Sequence, residues 1–525
     1  MMVQLAGQSL VLEAIEAVSR NGQQVGLTDD AVSRMSASRQ AVEKIVSDRV
    51  PVYGISTGFG RLCDVSIPLP QLEQLQLNLV RSHCCGLGEP LSEPETRAMM
   101  LLRANVLALG YSGARPAVAQ ALCDLLNHRI TPHVPSKGSV GASGDLAPLA
   151  HVAQCLIGEG WCRHEGVRKP AAEALSAAGL SPLKLGPKEG LSLINGTQAL
   201  TAVGALMTLR AERLVRLADA VGAMTVEALA GVHAAFDSRI HSARPHPGQG
   251  ESAAQLRAML EESEIMPWRT ERNSRVQDAY SLRCMPQVHG AVRGVINHVR
   301  SIVEIETGSA TDNPLVFDDG TVVSGGNFHG APLAMAYDYA AIALTDLVGI
   351  SERRVERMIN PDLSEGLPPF LSPEAGLGSG FMIAHVTVVA LLNEMKVLSS
   401  PASIDNLPTS AGTEDHVSMG MTAALKLRTI VENAERCLAI ELIAAAEGLE
   451  YRMPLQPGTG VLAMYRKLRE MVPPLMADRA LSEDIERVAS EIAAGSFTDS
   501  IPVVVPGDGI DRRRGDGDRR EKSLV

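Results

Sequence analysis

GSVGASGDLAPLAH spans Gly138–His151, setting Ala142, Ser143 and Gly144 in a glycine-rich turn directly before an apolar helical run. Three chemistries compete for such a turn: a phosphate cradle, a serine nucleophile on a strained bend, or a backbone that reacts with itself. A phosphate loop needs Lys and then Ser or Thr after its last glycine. Asp145 stands there instead and puts negative charge where phosphate would lie. Lys137 precedes the loop and does not replace the missing cation. A nucleophile elbow, G-x-S-x-G, needs a glycine two residues past the serine, and Asp145 takes that place too. A turn that only caps the helix starting near Leu146, with Asp145 or Ser143 as N-cap, needs no chemistry at all. The self-reacting backbone uses the small side chains. Gly144 offers an amide nitrogen unshielded by a Cβ, Ala142 a small carbonyl residue, and Ser143 between them a hydroxyl that can leave as water. The product is a five-membered imidazolone bearing an exocyclic methylidene, an electrophile no ordinary side chain supplies.

The rest of the 525-residue chain narrows the choice. Hydrophobic residues make up 45%, charged residues 21% and aromatics 3%, with Ala and Leu abundant. This is the composition of a globular protein whose core is helix packed on helix. The net charge of −12 and the scattered basic side chains argue against a nucleic-acid or anionic-membrane surface. The eight cysteines form no CxxC pair, so reduced, mostly buried thiols are expected. The N-terminus lacks the basic start of a signal peptide, and no stretch reads as a membrane span. A cytoplasmic protein follows.

Apolar residues recur at three and four positions in PQVHGAVRGVINHVRSIVEIE (Val288, Val292, Val295, Val299, Ile302). The same spacing runs through KLRTIVENAERCLAIELIAAAEGLE (Leu427, Ile430, Val431, Ala434, Leu438, Leu442). Residues 194–232 are rich in helix formers, and PLAMAYDYAAIALTDLVGISERRVERMI is apolar on more than one face up to Ile350. Such helices form a bundle and can leave apolar surface for an oligomer interface. VYGISTGFGRLCDVSIPLPQ is a loop punctuated by Gly and Pro. LVFDDGTVVS, turning at Asp319-Gly320, is the clearest strand pair. We expect a mainly α protein: residues 1–200 as an irregular N-terminal region carrying the reactive turn, 201–505 as a helical bundle, and 506–525 as a disordered charged tail.

Ala-Ser-Gly inside GSVGASGDLAPLAH resembles the signature of the ammonia-lyases and aminomutases that build a methylidene-imidazolone (MIO) group. Further blocks resemble that family in order: YGISTGFG, NLVRSHCCGLGEPL, RANVLALGYSGARP, GLSLINGTQAL, VQDAYSLRCMPQVHGA, ATDNPLVF with SGGNFHG, and LPTSAGTEDHVSMG. The resemblance implies the fumarase/aspartase-like superhelical fold and a homotetramer whose active sites draw on more than one subunit. It also implies an MIO group formed from Ala142, Ser143 and Gly144, with Ser143 becoming dehydroalanine and no external cofactor or metal.

Eliminating ammonia from an α-amino acid demands an electrophile for the poorly leaving amine and a base for the weakly acidic β-hydrogen. The resemblance makes Tyr53 the base, its phenol pulled down from the ordinary range near ~10 by helix ends or cations. Arg283 becomes the carboxylate clamp, and Gln277 and Tyr280 an active-site amide and second tyrosine. Asn195 would bond the prosthetic group or the carboxylate, Phe328 would line the pocket, and Asp145 would assist cyclisation or simply cap. Ser82-His83 and Glu414 resemble the members that act on histidine, whose imidazole N–H a carboxylate can accept; phenyl would leave that carboxylate unpaired. The implied reaction is L-histidine to trans-urocanate and ammonia. Tyrosine or phenylalanine ammonia-lyase and aminomutase chemistry are the alternatives on the same scaffold. Ser56, Met285, His289 and His329 depart from the pattern or vary within it. A non-catalytic helical scaffold would not need Tyr53, Arg283 and Ala-Ser-Gly together. A metal site at His83, Cys84 and Cys85 lacks a second cluster, and adjacent side chains point apart.

Overall fold

Four helices hold the long apolar repeats: Gln198–Ala228, Met285–Thr307, Ala331–Ile359 and Gly420–Glu450. In this computed structural model, which describes residues 2–272 and 276–504, each lies where its periodicity places it. The charged tail at 506–525 falls outside the described residues. Leu427, Ile430, Val431, Ala434, Leu438 and Leu442 are fully buried, so the stripe read from the sequence is core. Val292, Val295 and Val299 are buried in the same way, while Val288 and Ile302 at the edge of their stripe are half-buried.

The helix Ala331–Ile359 is more apolar than the sequence reading allowed. An 18-residue window reaches a mean hydropathy of 1.4, enough by length and composition to cross a membrane, yet 67% of that window is buried within the chain. Core burial accounts for its composition.

Strands are few and short. The expected hairpin pairs Leu315–Val316 antiparallel with Val322–Val323. Val3–Leu5 pairs in parallel with Val25–Leu27, and Leu87–Pro90 lies against Pro135–Lys137. A three-stranded sheet joins Thr131–Pro132, Trp161–His164 and Val167–Pro170. At two to four residues each, these strands are too short for an alternating pattern to mark them.

The chain forms two compact units. One comprises residues 1–209, 298–341 and 398–429; the other comprises 210–297, 342–397 and 430 onward. The first contains the Gly138–His151 stretch. Its helix Glu93–Ala108 opens on a capping box, with Ser92 N donating to Glu95 Oε2 (2.8 Å) and Glu95 N to Ser92 Oγ (3.4 Å).

The second unit is organised around buried ions. Arg354 donates from Nε and Nη2 to the two oxygens of Glu441 (2.5 and 2.9 Å), and both side chains are fully buried. Thr225 (2.8 Å) and Ser351 (2.5 Å) donate to the same carboxylate. Arg354 Nη1 also lies 3.3 Å from His289 Nε2, and His289 Nδ1 lies 2.8 Å from Asp219 Oδ1. A guanidinium only donates, so Nε2 accepts and Nδ1–H points to Asp219. The ring is therefore neutral, which fits burial lowering its pKa. Met285 packs where a Cβ on Gly222 would collide with its sulfur. His289 and Met285, two of the positions that vary from the family pattern, thus hold this core together.

Removing one member of a buried ion pair strands the other. Arg354→Met is expected to destabilise the chain by about 3–5 kcal/mol, read as a lower thermal midpoint. An unchanged midpoint would contradict the account of this core.

Candidate active site

The reactive stretch is gripped from two sides. Gly144 and Gly196 form a parallel bridge, and Asp145 N donates to Gly196 O at 2.7 Å. Both glycines have positive φ (75° and 156°), and a Cβ on Gly144 would run into the Gly196 carbonyl. No other residue fits Gly144's place. On the other side Met419 N donates to Val140 O (2.9 Å), Gly330 N to Gly141 O (3.2 Å) and Ser418 Oγ to Gly141 O (3.0 Å). Ala142 is buried in a small apolar cluster with Val417 and Met419.

Asp145 is an anchor. It is fully buried at the start of the helix Leu146–Leu156. Its two oxygens accept from Ser139 Oγ (2.7 Å) and Leu200 N (2.8 Å), the latter near the N-terminus of Gln198–Ala228. Burial outweighs these bonds and raises its carboxyl to about 6.

Asn195 Nδ2 donates to Ser143 O at 2.7 Å, and its own Oδ1 is buried with no hydrogen-bond partner. Behind it stands a residue that sequence reasoning missed. Arg103 Nη1 donates to Asn195 O (2.8 Å) and to Gln198 Oε1 (2.7 Å), and Gln198 Nε2 donates to Thr311 Oγ1 (2.8 Å). Arg103 is fully buried, which lowers its pKa to about 10. The available signal was a second arginine in the helical run ETRAMMLLRANVLA, where Arg97 is also buried.

Ser143 opens onto two adjoining cavities of about 550 and 560 Å³. Both are lined by Tyr53, Ser143, Asn313, Phe328 and Glu414. The first also takes in His83 and Asn195; the second takes in His329 and His416. Asn313, whose Oδ1 accepts from Gly325 N (2.7 Å) and Ser324 Oγ (3.2 Å), was not singled out by the sequence reading. His329 stacks on His416, with ring centroids 5.7 Å apart and planes 1° from parallel, and donates from Nε2 to the His416 carbonyl (3.2 Å).

His83 ends the helix Leu72–His83 with Nδ1 2.8 Å from Leu79 O. A carbonyl only accepts, so Nδ1 carries a proton, and in the neutral tautomer Nε2 is the acceptor. Cys84 and Cys85 spend their thiols on the carbonyls of Val80 and Ser82. Burial pushes the Cys84 thiol up to about 12.

Tyr53 differs from expectation. Its phenol is raised, first by burial and further by Cys63 and Glu414, while Gly60 N lies 3.5 Å from its oxygen. The lowering cation foreseen for it is absent from its described surroundings. Ser56 serves the backbone. Its hydroxyl donates to Val50 O (2.8 Å) and accepts from Val52 N (3.0 Å), pinning the turn that carries Tyr53.

Gln277, Tyr280 and Arg283 belong to the second unit and line neither cavity. Gln277 is exposed, Tyr280 is 70% exposed, and the Arg283 guanidinium lies 4.8 Å from the centre of the Tyr280 ring. The structure therefore gathers Tyr53, His83, Ala142, Ser143, Gly144, Asn195, Phe328 and Glu414 and leaves these three outside.

The residues present fit an MIO group: a glycine that nothing larger can replace, a serine with a bonded hydroxyl, and an asparagine whose amide nitrogen holds the serine carbonyl while its own oxygen has no partner. The aromatic amino acid lyase family model matches residues 10–470, and the chain belongs to that family of carbon–nitrogen lyases. A histidine ammonia-lyase of Myxococcus xanthus (strain DK1622) is 54% identical over 492 residues, 94% of this chain and 96% of the relative. The crystal structure of histidine ammonia-lyase from Trypanosoma cruzi superposes with a TM-score of 0.89 at 43% identity, covering 95% of each chain. A tyrosine aminomutase from Streptomyces globisporus gives 0.90 at 38% identity, covering 95% of this chain and 98% of that one.

Asp145→Ala leaves Leu200 N unpaired in the interior, a cost of about 1–3 kcal/mol. Asp145→Asn keeps an acceptor for Leu200 N and turns its amide to Ser139 Oγ, which can accept. Thermal melts should place the Asn variant near wild type and the Ala variant clearly lower; the reverse order would contradict the anchoring role.

Proposed function

We propose that this chain eliminates ammonia from L-histidine to give trans-urocanate, using an MIO group formed from Ala142, Ser143 and Gly144. When formed, that group supplies the electrophile that takes up the substrate amine. The chain's own residues do the rest. Asn195 holds the Ser143 carbonyl, Phe328 lines the wall beside it, and Tyr53 takes the β-hydrogen as phenolate. The observation that carries the substrate choice is His83, which lines the cavity: its Nδ1–H is spent on Leu79 O, so the neutral tautomer offers Nε2 as the acceptor for an imidazole N–H. Glu414 lines the same cavity and supplies a carboxylate that phenyl would leave unpaired.

Burial and Glu414 keep the Tyr53 phenol protonated in the single chain, so the base role requires a cation from elsewhere. Arg283, with Gln277 and Tyr280, fits that requirement when donated by another copy, where it would also clamp the α-carboxylate. Ile383, Val386, Val389 and Val397 are 44–69% exposed on the helix Met382–Leu398, an apolar face suited to such a copy. A homotetramer with shared sites is the assembly this favours. All eight cysteines are unpaired, in keeping with the cytoplasm.

Purified protein given L-histidine should produce the ultraviolet absorbance of urocanate, with little cinnamate or coumarate from phenylalanine or tyrosine. His83→Leu removes one hydrogen bond worth about 0.5–1.5 kcal/mol and should lower kcat/KM for histidine up to about tenfold. Cinnamate or coumarate without urocanate would move the chain to the other aromatic lyases, and a β-amino acid product to the aminomutases.

A further inference from the structure

Glu414 is built against the reactive serine more closely than substrate binding requires. Ser143 Oγ donates to Glu414 Oε1 at 2.5 Å, and Thr409 Oγ1 donates to Glu414 Oε2 at 2.5 Å. Two backbone bonds hold the pair: Thr409 N to Glu414 O (2.9 Å) and Glu414 N to Thr409 O (3.3 Å). Between them, Ser410 and Ala411 take left-handed conformations (φ 50° and 53°), so the short loop is tightly specified. The carboxylate thus has one oxygen fixed by its own loop and the other on the Ser143 hydroxyl. Asp145, the nearer acid in sequence, has both oxygens turned to Ser139 and Leu200. Asn195 holds the Ser143 carbonyl rather than its hydroxyl.

Cyclisation of Ala142-Ser143-Gly144 releases two waters. The first comes from the Ala142 carbonyl oxygen after attack by Gly144 N. The second needs the Ser143 Cβ–Oγ bond to break, and hydroxide is a poor leaving group unless protonated. We propose, resting on the MIO reading above, that Glu414 is the general acid of this maturation step, before any substrate is bound. In its acid form it passes a proton to Ser143 Oγ across the same pair of atoms, and the Cβ–Oγ bond breaks to release water. The electron pair of the Cα–H bond forms the exocyclic double bond. Water takes up the Cα proton and returns one to Glu414, so the carboxyl is unchanged overall. Thr409 is a positioning residue that holds the second oxygen.

The test follows the intact mass of freshly synthesised full-length chain against time, with circular dichroism as the check on folding. The wild-type chain should become lighter by two waters. Glu414→Gln keeps a hydrogen-bonding side chain but has no acid proton to give, so its second water loss should slow by about a hundredfold or more. In Glu414→Ala, added formate should restore that loss, a rescue that a merely structural role would not show. Thr409→Val should slow it to a lesser degree. Loss of both waters at the wild-type rate in Glu414→Gln, or no formate rescue in a folded Glu414→Ala chain, would overturn the proposal. A wild-type chain that never becomes lighter would instead defeat the MIO reading itself.

Discussion

The contact between the backbones of Gly144 and Gly196 is the constraint on which the site depends. It brings a reactive turn against the end of a short helix, with Asp145 N bonded to the Gly196 carbonyl. Neither position tolerates a Cβ: one on Gly144 meets Gly196 backbone, and one on Gly196 meets Arg103, Gln198 and Thr311. The buried Arg103 then joins Asn195 to Gln198, so the residue that holds the Ser143 carbonyl is fixed from behind. The proposed cyclisation needs the turn compressed so that the Gly144 amide can reach the Ala142 carbonyl, and a backbone held on both sides serves that need.

Much of the architecture was legible because it rests on periodicity. The long helices have stripes deep enough to name their buried residues, and the Asp319-Gly320 hairpin has its turn residues in place. The Ala142-Ser143-Gly144 turn drew notice for another reason: Asp145 rules out the two familiar serine and phosphate motifs. Buried polar supports were not legible. Arg103 sits in an apolar helix, Lys188 is fully buried beside Asp312 and the Ser112 carbonyl, and neither forms a local pattern. Apart from Ser192 beside Lys188, their partners lie 76–124 residues away in the chain. Nor does a sequence reveal that Tyr53 lacks a cation within its own chain's pocket, because that follows from where Arg283 is placed.

Both units carry buried polar groups far from water. In one, polar groups are spent on holding a turn, and several are left partly unsatisfied: the Asn195 oxygen, two Arg103 nitrogens and the Tyr337 hydroxyl, which fills the space that Gly204 leaves open. Unsatisfied buried polar atoms are costly. The other has such atoms too, among them Gln287 Oε1 and Arg357 Nε, while its Asp219, His289, Arg354 and Glu441 side chains bond to one another and to Ser252, Arg293, Thr225 and Ser351.

The central claim is that the close approach of Gly144 to Gly196 makes the Ala142-Ser143-Gly144 backbone cyclise. The most direct measurement is the mass of the peptide containing residues 142–144 from the wild-type chain and from Gly144→Ala, with the fold of each checked by circular dichroism. The account predicts that the wild-type peptide is lighter by two waters within those three residues, while the folded Ala variant keeps its full mass. A wild-type peptide of full mass, or an Ala variant that loses both waters as readily, would contradict it.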